Sequence, residues 1–566
     1  MSWPIASLPL PVAPLCAPIA LLLLPVAASS EPSALLLLPV ALFLPALPID
    51  ETRYLSVAWE MRFSGDWLLL HLNGAPYSDK GPLLFWLVNL SWLPFGLQVW
   101  TVRLGVLAAS FTTLVLFERL VRRLDADVAL ASRAALILAG IVYFALFSSA
   151  IMFDVVLTTC VLVALHGLLD LDAARWRRGI GLLALGLGLG LLTKGPAVLL
   201  DAGLVALFAP WWSATAREHK ARWYGAVLAG VLGAVALALV WALSAYGAEG
   251  FWREVILRQT VGRVTHSFAH QRPLWWYFMI LPLMVLPWTL SLRAPGRAWR
   301  DALHISKSVR FAVSWFVPAF VAFCFVSGKQ PHYLLPLLPA LALYLAHVLG
   351  HADARLRGRL FGVLLLIVGI TLAAVPYLAA HAHEIAALDR LHLTDSFLSV
   401  VSGLWPLWGA IIVATGLYLL FARDAHASLR ALALASVATA STGMLALAQD
   451  VGPYVDVSVA AARIRQIQDS GQPIAHLAWH HGLFEFPGRF TKPLPKVNYA
   501  DLHDWCVAHP DGEIVTFYTK YPITAKPELE LPYRFGRIIF WRAADILAMP
   551  AAPAKPAPEE DDSTDD

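Results

Sequence analysis

Charged side chains are scarce in this chain: Asp, Glu, Lys and Arg make up 14% of its 566 residues, against 58% hydrophobic residues and a mean hydropathy of +0.65. An ordinary soluble domain carries about 25% charge, so this composition excludes one and places the chain in a bilayer. Cysteine is scarcer still. Cys16, Cys160, Cys324 and Cys506 lie far apart with no CxxC or Cys/His spacing, which excludes a disulfide scaffold or a structural zinc site by sequence pattern. The first 30 residues hold no charge at all. A signal peptide needs a basic n-region, which is missing here, although Val26-Ala27-Ala28 offers small residues for cleavage. Residues 1–33 therefore read as an irregular, proline-rich apolar leader in which ALLLLPVA at Ala20–Ala27 recurs at Ala34–Ala41.

The formal balance is 42 basic against 39 acidic residues, but six of the acids crowd the last eight positions, leaving 42 against 33, or +9, for the body. Nucleic acid is not implied. The basic residues form short clusters between apolar runs, at Arg119–Arg133, Arg175–Arg178, Arg217–Arg222, Arg293–Arg310, Arg355–Arg359 and Arg423–Arg430. If all are cytoplasmic, a pair of spans separates each from the next, and the count reaches about thirteen at roughly 20 residues per span, with the N-terminus inside and the C-terminal region outside. Pro82–Gly96 is too short for a span and reads as a juxtamembrane or re-entrant helix, and Val99–Val121 as the helix that follows it.

The predicted fold class is thus an α-helical polytopic membrane protein with a small C-terminal α/β domain on the outer side. Residues 34–450 form the membrane domain, with a first outer loop at 49–98 and a second large one at 247–275. Residues 451–548 form the outer domain and 549–566 a disordered acidic tail. Within the outer domain, helices are expected at Val457–Asp469 and Tyr499–His509, and strands at Pro473–Trp479, Leu483–Phe490, Glu513–Tyr518 and Arg537–Trp541.

Charge in or beside a membrane span is costly, so each such residue is a functional candidate. Asp50-Glu51-Thr52-Arg53-Tyr54 follows a proline-broken apolar run and sets two carboxylates beside an arginine one turn away, a pattern suited to a lipid head group or to a capped surface helix. Lys80 precedes the short helix and fits either a snorkelling anchor or a phosphate contact. Asp154 interrupts an apolar stretch, as an N-cap or a second site carboxylate. Gly186-Leu187-Gly188-Leu189-Gly190 before Thr193-Lys194-Gly195-Pro196 has the wrong order for a phosphate loop and reads as small-residue helix packing. Ser327-Gly328-Lys329-Gln330-Pro331-His332-Tyr333 is a polar turn between spans, and His480-His481 a loop without a third metal ligand at metal spacing.

Ile49–Leu87 as a whole, with its acidic pair, Arg53-Tyr54, Gly65-Asp66-Trp67, the Asn73-Gly74-Ala75-Pro76-Tyr77 turn, Lys80 and the Pro82-Leu83-Leu84-Phe85-Trp86 helix, closely resembles the first outer loop of the aminoarabinose transferases that modify lipid A. These belong to the GT-C superfamily of polyprenyl-phosphate-dependent glycosyltransferases, together with the protein O-mannosyltransferases. Met152-Phe153-Asp154, Leu192–Pro196 and Gly328-Lys329 with Tyr333 extend the similarity over about residues 34–450. Three departures stand out: Asp79-Lys80-Gly81-Pro82 where the family has Glu-Lys-Pro-Pro, the leader, and an outer domain without a matching motif.

The resemblance implies that Asp50 is the catalytic aspartate, with Asp154 and Glu51 as further site carboxylates. It implies that Lys80 and Arg53 contact the donor phosphate, with Lys194, Arg263 and Arg272 as further cationic candidates. Tyr54, Tyr77, Lys329, His332 and Tyr333 are the substrate-pocket candidates. No cofactor is called for with certainty; Asp50, Glu51, Asp79 and Asp154 either gather around a divalent cation or play separate roles. The implied donor is an undecaprenyl-phosphate-linked sugar, and the implied acceptor lipid A or another glycolipid on the periplasmic side of a bacterial inner membrane. Rival readings are a protein O-mannosyltransferase-like enzyme and a polytopic transporter, but the unexplained charges collect on one face and no half-to-half repeat is visible.

Overall fold

The computed structural model describes residues 32–250, 271–304, 306–381, 405–421, 425–517, 523–534 and 536–549. The leader up to Glu31, Arg253 and Arg263 of the second large loop, Arg423 and the tail from Pro550 lie outside the described residues. The first loop opens with helix α1 (Asp50–Ser64), whose two acids in the first turn complement the positive end of the helix dipole and which stops at Gly65 in the left-handed region. Asn73-Gly74, both at positive φ, closes a two-residue hairpin after it. Helix α2 (Leu83–Phe95) is the short apolar helix expected there.

The bundle continues through α3 (Val99–Leu124), α4 (Val128–Ala139), α5 (Phe153–Asp172), α6 (Trp176–Lys194), α7 (Lys220–Gly250), α8 (Lys307–Phe325), α9 (Leu338–Leu349), α10 (Gly358–Ala380), α11 (Trp405–Phe421) and α12 (Ala425–Val455). Among the described residues, seven helices are long and apolar enough to cross a membrane. Other apolar stretches read as spans are interrupted. The chain after α6 divides into a π-helical turn (Leu199–Gly203) and the short helices Leu204–Leu207 and Ala209–Trp212, and Trp276–Met284 is set apart from Trp288–Ser291. Pro210, Pro282 and Pro287 lie in these segments, where a proline withholds a backbone donor and breaks the ladder.

Helix α5 fixes the two ends of the bundle. Near its C-terminus Asp170 is buried and forms ion pairs with Arg123, Arg175 and Arg178 at 2.5, 2.8 and 3.0 Å, and Asp172 pairs with Lys307. Residues from three of the basic clusters therefore meet around one helix end. Asp154 stands at the other end, about 24 Å away at 1.5 Å per residue. The glycine run lies inside α6, where Gly186 backs onto Ala164 of α5 and Gly188 onto α7, as helix packing requires.

After α12 the chain forms α13 (Ser458–Ser470), strands β1 (Ile474–Leu477) and β2 (Lys496–Val497), α14 (Leu502–Ala508), then β3 (Glu513–Thr516), β4 (Leu529–Tyr533) and β5 (Gly536–Arg542). The sheet order is β2-β1-β3-β5-β4. The β1 pairings with β2 and β3 are parallel, and β5 runs antiparallel to β3 and β4. Alternate residues of β1 bury on opposite faces, Ile474 with α13 and Ala475 and Leu477 with α14, giving a three-layer α/β/α unit. The strand expected at Leu483–Phe490 is instead a helical turn, Glu485–Gly488, followed by Arg489 in the left-handed region. Strands β2 and β4 escape the sequence pattern because one is two residues long and the other is a half-exposed edge carrying Pro532.

His476, His480 and Glu485 are almost wholly buried in this domain, with His480 Nδ1 3.3 Å from Glu485 Oε1. Burial pushes the Glu485 carboxyl up to about 7 and the His480 imidazole down to about 3. A carboxyl that must stay protonated to fold takes up a proton on folding once the unfolded chain has ionised. Its burden is absent below about pH 4.5, grows as pH rises, and is complete above about pH 7, where it reaches about 3 kcal/mol. Glu485→Gln is therefore expected to raise the thermal midpoint of the detergent-solubilised protein at pH 8 and to leave it nearly unchanged at pH 4.5. An equal gap at both pH values would show that the carboxyl does not titrate in this window.

Candidate active site

The first turn of α1 aligns Asp50, Arg53 and Tyr54 on one face. Arg53 Nη2 lies 2.5 Å from Asp50 Oδ1, and the Tyr54 hydroxyl donates to the same oxygen at 3.0 Å. Burial pushes the Asp50 carboxyl up, but the Arg53 guanidinium, the Tyr54 hydroxyl and the Lys80 ammonium outweigh it and hold the group below the usual carboxylate range. Asp50 keeps 44% of its side chain exposed while Arg53 keeps 9%, so the carboxylate stands at a surface opening and the guanidinium is buried. Tyr54 meets Phe153 edge-to-face at 4.9 Å, which joins this face to the start of α5.

Asp154, 1% exposed, begins α5 and accepts Lys194 Nζ at 2.7 Å from the last turn of α6. The same ammonium lies 4.3 Å from the centroid of the Tyr333 ring, and His332 packs edge-on against Tyr333. His332 is within electrostatic reach of Asp154 and Lys194 and, less strongly, of Asp50 and Lys80. Lys80 is brought here by Gly81. A Cβ at that position would stand 2.1 Å from the Leu192 carbonyl oxygen, which explains why this chain carries glycine where the family it resembles has proline.

Other expected site residues are placed elsewhere. Glu51 turns away from the opening into the bundle: its carboxylate accepts Arg103 Nη1 at 3.0 Å and Nη2 at 2.6 Å, Leu47 N at 2.7 Å and Ile151 N at 2.9 Å. It is a packing residue here, because every lone-pair direction is occupied within the fold. Lys329 is buried and donates to the carbonyls of Arg272 and Val326, so with the Arg272 N–H to Ser327 contact it ties the end of the second loop to the 326–330 turn. Arg272 itself points over Trp276. Tyr77 is buried against Phe85 rather than lining an opening. Arg263 lies outside the described residues. Among the described residues no three His, Cys, Asp or Glu side chains converge as a metal-binding group.

The sequence reading missed four residues. Tyr143 and Tyr277 both feel the charge of Asp154 but look like ordinary aromatics in apolar runs. Arg103 and Asp201 carried a usable signal, a lone charge inside a span. Asp201 is fully buried in the π-helical turn, near enough to Lys194 and Asp154 to feel both charges.

Beside this cluster an apolar groove of about 510 Å³ runs between α2 and α3, lined by Leu84, Val88, Val102 and Val106 and closed by Val156, two residues from Asp154. The hydroxyls at its wall, Ser91 and Thr101, donate to backbone carbonyls, leaving a surface that suits hydrocarbon.

Comparison with known proteins adds three findings. Residues 79–241 match the family described as dolichyl-phosphate-mannose-protein mannosyltransferase. The undecaprenyl phosphate-alpha-4-amino-4-deoxy-L-arabinose arabinosyl transferase of Pseudomonas aeruginosa is 34% identical over 307 residues, 53% of this chain and 55% of that protein, so the match spans little more than half of that relative. The enzyme of the same name from Edwardsiella ictaluri is 30% identical over 388 residues, 64% of this chain and 67% of that one. The structure of ArnT from Cupriavidus metallidurans bound to undecaprenyl phosphate superposes with a TM-score of 0.69 at 20% identity, over 94% of this chain and all of that one, and so shares its fold.

The Glu51–Arg103 pair yields a test of its own. Arg103→Leu leaves a buried carboxylate without its cation and is expected to cost about 3–5 kcal/mol, seen as loss of monodisperse protein on size exclusion. The double variant Glu51→Leu/Arg103→Leu removes both charges and is expected to recover much of the yield. If the double variant falls as far as the single one, the pair is not the coupled unit that its geometry indicates.

Proposed function

Because the chain belongs to the family of undecaprenyl phosphate-aminoarabinose arabinosyl transferases, we propose that it is an inner-membrane glycosyltransferase moving 4-amino-4-deoxy-arabinose, or a related sugar, from undecaprenyl phosphate to a lipid A phosphate at the periplasmic face. One observation carries the reading: Asp50, Arg53, Lys80, Asp154 and Lys194 draw together from separate elements beside an apolar groove. A lipid-linked sugar phosphate needs that combination, cations for the phosphate next to a surface that takes hydrocarbon.

Lys80 and Arg53 bind the donor phosphate, Lys80 as a point charge and Arg53 as a planar guanidinium. An oxygen of the acceptor attacks the anomeric carbon from the face opposite the leaving group. The bond from that carbon to the phosphate oxygen breaks, and the polyprenyl phosphate departs with the electron pair and one added negative charge, which the two cations stabilise. The sugar is transferred with inversion. The Arg53 guanidinium and the Lys80 ammonium hold Asp50 below the usual carboxylate range, and its carboxylate orients the incoming groups. An ionised phosphate acceptor needs no base, whereas a serine or threonine hydroxyl does.

Mass spectrometry of lipid A from cells with and without the protein tests acceptor and sugar together. The expected result is an amino-sugar on a lipid A phosphate only when the protein is present; unchanged lipid A with newly glycosylated protein would favour the mannosyltransferase-like alternative. At the residue level, Lys80→Ala should lower affinity for undecaprenyl phosphate and turnover together, with acceptor affinity unchanged, and Lys80→Arg should restore only part of the loss. A fall in acceptor affinity with donor affinity intact would move the phosphate site elsewhere.

A further inference from the structure

The C-terminal domain grips α1 through its backbone and side chains. The Ser56 hydroxyl donates to the Gly482 carbonyl at 2.7 Å and accepts from the Phe486 N–H at 3.1 Å, and Trp59 Nε1 donates to the Phe490 carbonyl at 2.8 Å. Asn73 exchanges two hydrogen bonds with the backbone of Leu494, at 2.8 and 2.7 Å. Arg489 spans three elements: it donates to the carbonyls of Phe486 and of Leu97, at the start of α3, and lies over the rings of Phe486 and Trp59. Phe486 in turn stacks flat on Trp92 of α2 with centroids 5.2 Å apart.

One close point of this grip is Gly482, which holds a φ of +74°. A Cβ there would stand 2.7 Å from Leu72 Cδ1 and 3.3 Å from the Cα of Arg53. The domain thus touches the backbone of the residue assigned to the donor phosphate, and Ser56 anchors the same helix one turn further on. The docked backbone belongs to a stretch more than 420 residues away in sequence, and its contacts converge on α1 and its hairpin.

We infer that the Gly482–Leu494 segment of the C-terminal domain is a positioning element of the active centre, and that Gly482 sets the placement of Arg53 and so the affinity of the site for the donor phosphate. The inference rests on the donor reading given above. Gly482, Ser56 and Arg489 are positioning residues: they hold α1, and α1 presents Asp50 and Arg53.

The test compares two glycines of the same domain in the full chain, reconstituted in phospholipid vesicles. Gly471 has a φ of +79° and open space where a Cβ would go, so Gly471→Ala imposes the same backbone strain without the contact. Gly482→Ala is expected to lower affinity for undecaprenyl phosphate about ten-fold, the effect of a misplacement well under an ångström, and to leave the KM for acceptor unchanged. Gly471→Ala should move the thermal midpoint by a similar amount and leave undecaprenyl phosphate affinity as in the parent. Equal affinity in the two variants overturns the positioning role while leaving the donor assignment intact. A parent protein that does not bind undecaprenyl phosphate overturns the donor assignment and this inference with it.

Discussion

A carboxylate taken out of water is tolerable only where its oxygens are met, and the Glu51–Arg103 pair meets that demand with parts drawn from three places. Arg103 comes from the outer half of α3, while the remaining donors are backbone N–H groups before α1 and before α5. Arg103 also donates to the carbonyls of Leu44, Pro45 and Ser149, so one arginine and one glutamate pin the entry to α1, the body of α3 and the approach to α5. Asp50 is the neighbour of Glu51 in sequence, and Asp154 stands three residues past Ile151. The pair therefore helps fix where the partly exposed Asp50 and the buried Asp154 stand, although neither partner is itself exposed. In a low-dielectric interior such an arrangement contributes specificity of geometry more than net stability.

This division of labour between two adjacent acids is what one-dimensional reading fails to see. Asp50, Arg53, Lys80 and Asp154 stand out in the sequence because charge within apolar sequence is expensive and demands a reason. Glu51 carried the same signal and a different reason, and only the direction of its side chain tells them apart. Arg103 lies within α3, where a lone cation should have raised the same question. Tyr143 and Tyr277 were illegible in principle, since an aromatic in an apolar run is packing until its neighbours are known. Lys329 misled because a lysine in a polar turn usually faces water, whereas this one spends its hydrogen bonds on backbone carbonyls.

Apolar runs and basic loops point to membrane helices, while the breaks at 199–212 and 276–291, where Pro210, Pro282 and Pro287 lie, show only in the structure. In the C-terminal domain the helix α13 and strands β1, β3 and β5 followed from local pattern, but the 483–490 stretch did not. Its apolar residues read as a strand, yet Phe486 is spent on Trp92 and its N–H on Ser56, contacts made between distant parts of the chain. Local propensity yields there to a docking surface that no short window contains.

The close approach of Gly81 to Leu192 has an electrostatic side. Leu192 lies in the last turn of α6, where unpaired carbonyls gather about half a negative charge. Lys194 closes that same turn, and Lys80 is one residue from the contact. The Lys194 ammonium thus answers two negative charges at once, the Asp154 carboxylate and the carbonyl end of its own helix, and the second is part of the main chain and does not titrate.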